Sequence, residues 1–151
     1  MAAVFGLPVS DYLTETGADG TDKPLAREKF YIPGSLMEAD VDNTNPLAYG
    51  MPGKVDLFFD SSPTFRLAPN AALKGTTAVA WFGGPKTLTS GWAWGQEYLN
   101  GGTAALAGKV GKGSVVVLGP EVSFRGEPHG TFKLLFNGLF YGGLEPVMLK
   151  N

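Results

Sequence analysis

The residues best equipped for chemistry lie in one bend. The single histidine, His129, follows Glu127, with Arg125 and Glu121 a few positions upstream. An imidazole beside a carboxylate is the pairing of a general base with the group that orients it. A helix starting just after His129 would favour the neutral ring through the positive end of its dipole. Such a base needs a nucleophile. The chain has no cysteine, and none of Ser10, Ser35, Ser61, Ser62, Ser90, Ser114 or Ser123 sits in the GxSxG elbow of a serine hydrolase. Gly34–Ser35 and Gly113–Ser114 are half-matches that read as turn chemistry. His129 with Glu127 is therefore a candidate acid–base pair with no nucleophile to activate. The favoured reading of His129 is structural, with a ring nitrogen satisfying a backbone group in the bend. Glu121, Arg125 and Glu127 read as a solvated rim with a surface ion pair.

Metal and phosphate chemistry find less support. A zinc site draws three or four ligands from His, Cys, Asp and Glu at close, fixed spacings; one histidine, no cysteine and no HxxE, HExxH or CxxC pattern leave no metal site in this chain. GKVGKGS fails the spacing of both GxxxxGK[ST] and GxGxxG and reads as a hairpin turn. A different surface chemistry is offered by Trp92, Trp94 and Tyr98 in the segment GWAWGQEYL. Aromatic rings bounded by glycines can form a stacking platform for a sugar or a peptide. They also pack in ordinary cores, and core or subunit contact is the favoured reading. Arg125 is the charged residue added to this set of candidate binding groups.

These groups need a scaffold. Val115, Val116, Val117 and Leu118, bracketed by Gly111, Gly113 and Gly119, have the pattern of a buried strand. Phe132, Leu135, Phe136, Leu139 and Phe140 follow at i, i+3, i+4, i+7 and i+8. That is one apolar stripe, which predicts an amphipathic helix over about 131–141. Thr131 is its expected N-cap and Gly142–Gly143 its stop. Upstream, Leu36–Val41, Val55–Asp60, Thr76–Phe82 and Thr103–Val110 read as strands, the last forming a hairpin with Ser114–Leu118 through Gly111–Lys112–Gly113. Phe65 begins a shorter extended piece. Pro46, after Asn45, opens a short helix. Phe58, Phe59, Phe65, Trp81 and Phe82 are expected in the core. Residues 14–24, TETGADGTDKP, are a polar loop. Before it, residues 2–13 begin abruptly with apolar side chains at Val4 and Phe5. If the tryptophan segment is extended, both indoles share a face, since they are two residues apart.

The bulk numbers bound the rest. A chain of 151 residues is one domain's length, burying roughly 70% of its unfolded surface. The sequence shows no linker and no repeat, so residues 1–151 read as a single domain. The 22 glycines and 11 prolines, with only 17% charged residues, point to short elements and many turns. A formal net charge of −2 gives no electrostatic footprint for nucleic acid. No stretch approaches the ~20 apolar residues of a membrane-spanning helix. The N-terminus lacks the basic start of a signal peptide.

Three segments carry a resemblance: FYIPGSLMEADVDNTNPLAYGMP (30–52), SGWAWGQEYL (90–99) and GKGSVVVLGPEVSFRGEPHGTFKLLFNGLF (111–140). They resemble the C-terminal region of bacterial M14-family zinc carboxypeptidases, over about residues 4–143. That region is similar to a class I glutamine amidotransferase-like domain, a flavodoxin-like α/β fold. The resemblance implies an α/β domain, strand-rich with a C-terminal amphipathic helix and corresponding to the second half of the amidotransferase-like unit. The abrupt apolar start at Val4 agrees with that expectation. It implies a non-catalytic accessory role in positioning substrate or in assembly. Zinc would be held in the parent peptidase module, and no cofactor in this chain. The partners implied are an attached peptidase domain or a second copy covering an unpaired sheet edge, with a peptide or cell-wall ligand. The location implied is periplasmic or secreted. His129 matches a histidine of the family segment, and no catalytic role transfers with it. A stand-alone dimeric binding module and a His129-dependent amidase or hydrolase are the alternative readings.

Overall fold

A computed structural model of the chain describes residues 5–144 and 147. The apolar start at Val4 lies outside them. Ten strands and one α-helix follow in order: β1 (Val9–Asp11), β2 (Thr14–Thr16), β3 (Asp22–Pro24), β4 (Pro33–Val41), β5 (Lys54–Asp60), β6 (Phe65–Leu67), β7 (Thr76–Trp81), β8 (Leu88–Ser90), β9 (Thr103–Val110), β10 (Gly113–Leu118) and α1 (Phe132–Tyr141). Single 3-10 turns at Pro46–Ala48, Ala72–Lys74, Gln96–Leu99, Phe124–Gly126 and His129–Thr131 join them.

β4 shows why the strands form where they do. Ser35, Met37, Ala39 and Val41 point inward and are buried, while Leu36, Glu38 and Asp40 alternate on the other face. A period of two with β-branched and apolar residues on one side makes a half-buried strand. β5 repeats the pattern with Val55, Leu57 and Phe59 inward. On the outer face Glu38 stands directly opposite Asp56. The Lys54 ammonium relieves that like-charge pair, 2.5 Å from Glu38 and 3.9 Å from Asp40, and its pKa is raised by the Glu38 contact. The Thr89 hydroxyl donates to Asp56 at 2.8 Å.

The main sheet runs β1-β6-β9-β7-β4-β5, with β10 on β9 and β8 on β4; β2 and β3 form a separate hairpin. Among the described residues every pairing between strands is antiparallel. A flavodoxin-like sheet is parallel and needs a long crossover between neighbouring strands. The strand-rich expectation with a C-terminal helix is met; the parallel layout has no counterpart in these residues. The expected hairpin is present, with β10 pairing β9 from Gly113↔Val110 to Leu118↔Ala105. The larger core lies between the sheet and α1, around Ile32, Met37, Leu57, Phe59, Phe82 and Leu134. A smaller one, Leu7, Phe65 and Leu106 with Val115 and Val117, fills the other face of β9 and β10. Of the aromatics expected in the core, Phe59, Phe65 and Phe82 are buried, and Phe58 and Trp81 are half-buried.

The apolar stripe of α1 is divided between core and solvent: Phe132 and Leu135 are half-buried, Leu135 packing against the larger core. Leu134 and Asn137 are the buried helix residues, whereas Phe136 is 51% exposed and Leu139 and Phe140 are each 73% exposed. One expectation about α1 is corrected: Thr131 does not cap the helix with its side chain. Its φ and ψ are already helical, and its buried hydroxyl donates to the carbonyls of Val122 (2.5 Å) and Pro128 (2.9 Å). Tying the preceding bend to the helix start sets the rotation of α1, and hydrophobic periodicity alone carries no information about such a tie. The shorter turn is as expected: Asn45 accepts from the Leu47 amide at 3.0 Å, with Pro46 at its first position.

Candidate functional site

The loop between β8 and β9 carries the most exposed aromatic surface outside α1. It is not a strand. Trp94 makes one isolated bridge to Tyr31, with amide-to-carbonyl bonds of 3.0 Å in both directions. Residues Gln96–Leu99 then form a 3-10 turn that buries Leu99. Of the two readings, core or subunit contact, packing in the core does not hold for Trp92, Trp94 and Tyr98, which are 54%, 55% and 42% exposed. The backbone beneath them is held instead. Ser35, buried on β4, accepts from the Trp92 amide at 2.9 Å and donates to the Trp92 carbonyl at 2.6 Å. The Gln96 carboxamide oxygen accepts from the amides of Thr87 and Leu88 at 2.9 and 3.0 Å, clamping the loop to the start of β8. The Trp94 indole donates to the Glu28 carbonyl at 2.8 Å.

Two glycines permit this path. A Cβ on Gly91 (φ +100°) would sit 2.6 Å from the Ser35 hydroxyl, and one on Gly95 (φ +73°) would sit 2.0 Å from the Lys29 carbonyl. Both positions need a left-handed backbone and a bare Cα.

The result is a fixed aromatic shelf. The Trp92 and Tyr31 rings meet edge to face at 6.1 Å, and the Arg27 guanidinium lies 3.9 Å above the Tyr31 ring. Beside Trp94 and Tyr98 runs an open groove of ≈ 470 Å³ edged by Glu28, Lys29, Gln96 and Glu97. Lys29 is held by Glu15, whose carboxylate raises its pKa. Large rings whose backbone is pinned while their faces stay wet cost little ordering entropy on binding. Flat apolar faces beside carboxylate, amide and ammonium groups can stack on one side of a polar ligand and hydrogen-bond its edge. Ser35, Tyr31, Arg27 and Gln96 belong to this site and were not singled out for it by sequence. The two glycines flanking the tryptophans were the available signal.

The histidine bend assembles nothing comparable. His129 is exposed on its 3-10 turn, its ring tilted against Phe132 at 5.3 Å. Glu121, Arg125 and Glu127 are exposed too. Among the described residues no hydrogen bond or ion pair joins these four, so the expected surface ion pair is not formed. Arg125 lies instead 5.1 Å above the Phe124 ring, which stacks on Phe58 at 4.1 Å. Nor do the residues fit a zinc ion. Among those described no three His, Cys, Asp or Glu side chains stand together as ligands.

No helix among the described residues is long and apolar enough to cross a membrane. No family model matches the chain, and no curated protein or solved structure is significantly similar to it.

Proposed function

We propose that the chain is a non-catalytic accessory module that holds a cell-wall glycopeptide through the Trp92–Trp94–Tyr98 shelf. The observation that carries this is the contrast within that loop. Three aromatic rings are left half in water, while Ser35 and Gln96 fix the backbone that bears them. A fold gains nothing by exposing large rings, and holding them in one geometry is what a preorganised binding surface needs. Sugar rings offer flat C–H faces for stacking, and the stem peptide offers charges to Glu28, Lys29 and Glu97.

The likeness to M14 zinc carboxypeptidases supplies the setting of the proposal. In it the module presents substrate to an attached peptidase domain that carries the zinc, outside the cytoplasm. This rests on the 30–52, 90–99 and 111–140 segments. The amidotransferase-like, flavodoxin-like kinship is proposed on the same segments as ancestry only, because the antiparallel pairings do not support it as a present layout. The test is co-sedimentation of the purified chain with isolated peptidoglycan. Binding that falls at least tenfold in Trp92→Ala and Trp94→Ala supports the proposal. Retention unaffected by both changes, or no retention of the unaltered chain, refutes it. His129→Ala is expected to bind as the unaltered chain does.

A further inference from the structure

We infer that the outward face of α1, with the groove between α1 and β10, is a docking surface for a second copy of this chain. α1 is seated by a few specific contacts. Leu134 is 1% exposed, Asn137 reaches the carbonyls of Leu47 and Tyr49, and the Lys133 ammonium is bonded to the Gly50 carbonyl. These contacts turn Phe136, Leu139 and Phe140 to solvent as a ridge.

Immediately beside the ridge lies an open groove of ≈ 360 Å³, lined by Val116, Leu118, Leu135, Gly138, Leu139 and Gly142. Glycine at 138 and 142 makes the room, with Val116 as the neighbour below both positions. Leu139 belongs to ridge and groove alike. A ridge next to a groove on one surface is the shape that closes on itself about a two-fold axis: each copy's ridge enters the other's groove.

Area and charge favour a copy over other occupants. Phe136, Leu139, Phe140, Tyr141, Leu144 and Tyr49 are all exposed; at ~200 Å² for a fully exposed large side chain they present about 700 Å², close to the ~800 Å² each partner gives to a stable interface. None of the six carries a charge, so two copies meet without repulsion, and a charged partner would find nothing to pair with. β10 adds a second reason. Among the described residues it pairs only β9, and its other edge has no strand partner. From Ser114 to Leu118 that edge has no charge, no proline and no bulge, the devices that normally guard an edge strand.

The shelf and this face use different residues, so the dimer would carry two shelves and gain avidity on a repeating ligand. Sedimentation equilibrium on the full chain tests the inference directly. Twice the 15.9 kDa of one chain is expected at about 100 µM, a concentration at which interfaces of this size are populated. Leu139→Asp and Phe140→Asp should each weaken association at least tenfold. Leu73→Asp, at a residue 92% exposed on the turn before β7, should leave it unchanged. Since the chain has no cysteine, Leu139→Cys gives a single thiol whose bismaleimide cross-linking reports proximity even if the aspartate variants misfold. A monomer at that concentration, a dimer unaffected by Leu139→Asp, or no cross-linked dimer with Leu139→Cys overturns the inference. A monomer would assign the face to a different polypeptide.

Discussion

The Asn137 side-chain amide donates to two backbone carbonyls on one turn, Leu47 at 3.1 Å and Tyr49 at 3.0 Å. One buried polar side chain on the helix thereby satisfies two acceptors about 90 positions away in sequence. It also decides which way the helix faces. With Asn137 turned inward, Leu139 two residues on lies on the opposite side of the helix, and Phe136 and Phe140 are exposed with it.

Asn137→Ala would leave the acceptors unpaired in a site that is 9% exposed. The expected cost is about 1–3 kcal/mol, that of a buried polar group losing its partner. Urea denaturation should show it as a lower midpoint at unchanged slope. Because the contact also sets helix rotation, the variant should bind a hydrophobic dye differently from the unaltered chain.

Gly95→Ala forces a side chain into a left-handed residue and toward the Lys29 carbonyl, 2.0 Å from the new Cβ. The loop must shift to accept it. A stability loss of about 1–3 kcal/mol is expected, together with loss of glycopeptide binding although no ring has been removed. Binding unchanged in a folded Gly95→Ala protein would mean that the geometry of the shelf does not matter.

Asp19 gives a pH prediction. Its carboxylate accepts from the Lys23 ammonium at 2.9 Å and from the Thr21 hydroxyl and amide at 2.7 and 3.1 Å. Those contacts, Lys23 foremost, lower its pKa from 3.8 to about 2. A depressed carboxylate pKa means that its stabilising effect on the β2–β3 turn is fully present above the ordinary value and is lost as pH falls through about 2. Carboxyl chemical shifts followed by NMR should titrate near that value. Lys23→Ala should move the midpoint back toward 3.8.

Where structure follows from local alternation, the sequence was legible. β5, β7 and the β9–β10 hairpin fall within a residue of the patterns that predict them, and β4 starts three residues earlier than its pattern, because one buried face imposes a period of two. The extent of α1 was legible for the same kind of reason. Its rotation was not, since the stripe of Phe132, Leu135, Phe136, Leu139 and Phe140 competes with specific bonds made by Asn137 and Thr131. Sheet direction was also hidden. A strand pattern is the same in parallel and antiparallel pairings, and only the short connections, such as Gly111–Lys112, distinguish them. At the shelf, the tryptophans stood out by type and glycine flanks, whereas Ser35 reaches Trp92 across 57 residues, a separation that no local pattern spans.

The most direct measurement is the tryptophan emission of the chain titrated with soluble muropeptide. Of the three tryptophans, Trp92 and Trp94 are half-exposed on the shelf, while Trp81 is held in β7. A saturable blue shift, lost in the Trp92→Ala/Trp94→Ala double variant but kept in His129→Ala, is the expected result. Emission that stays constant to millimolar muropeptide would contradict the account.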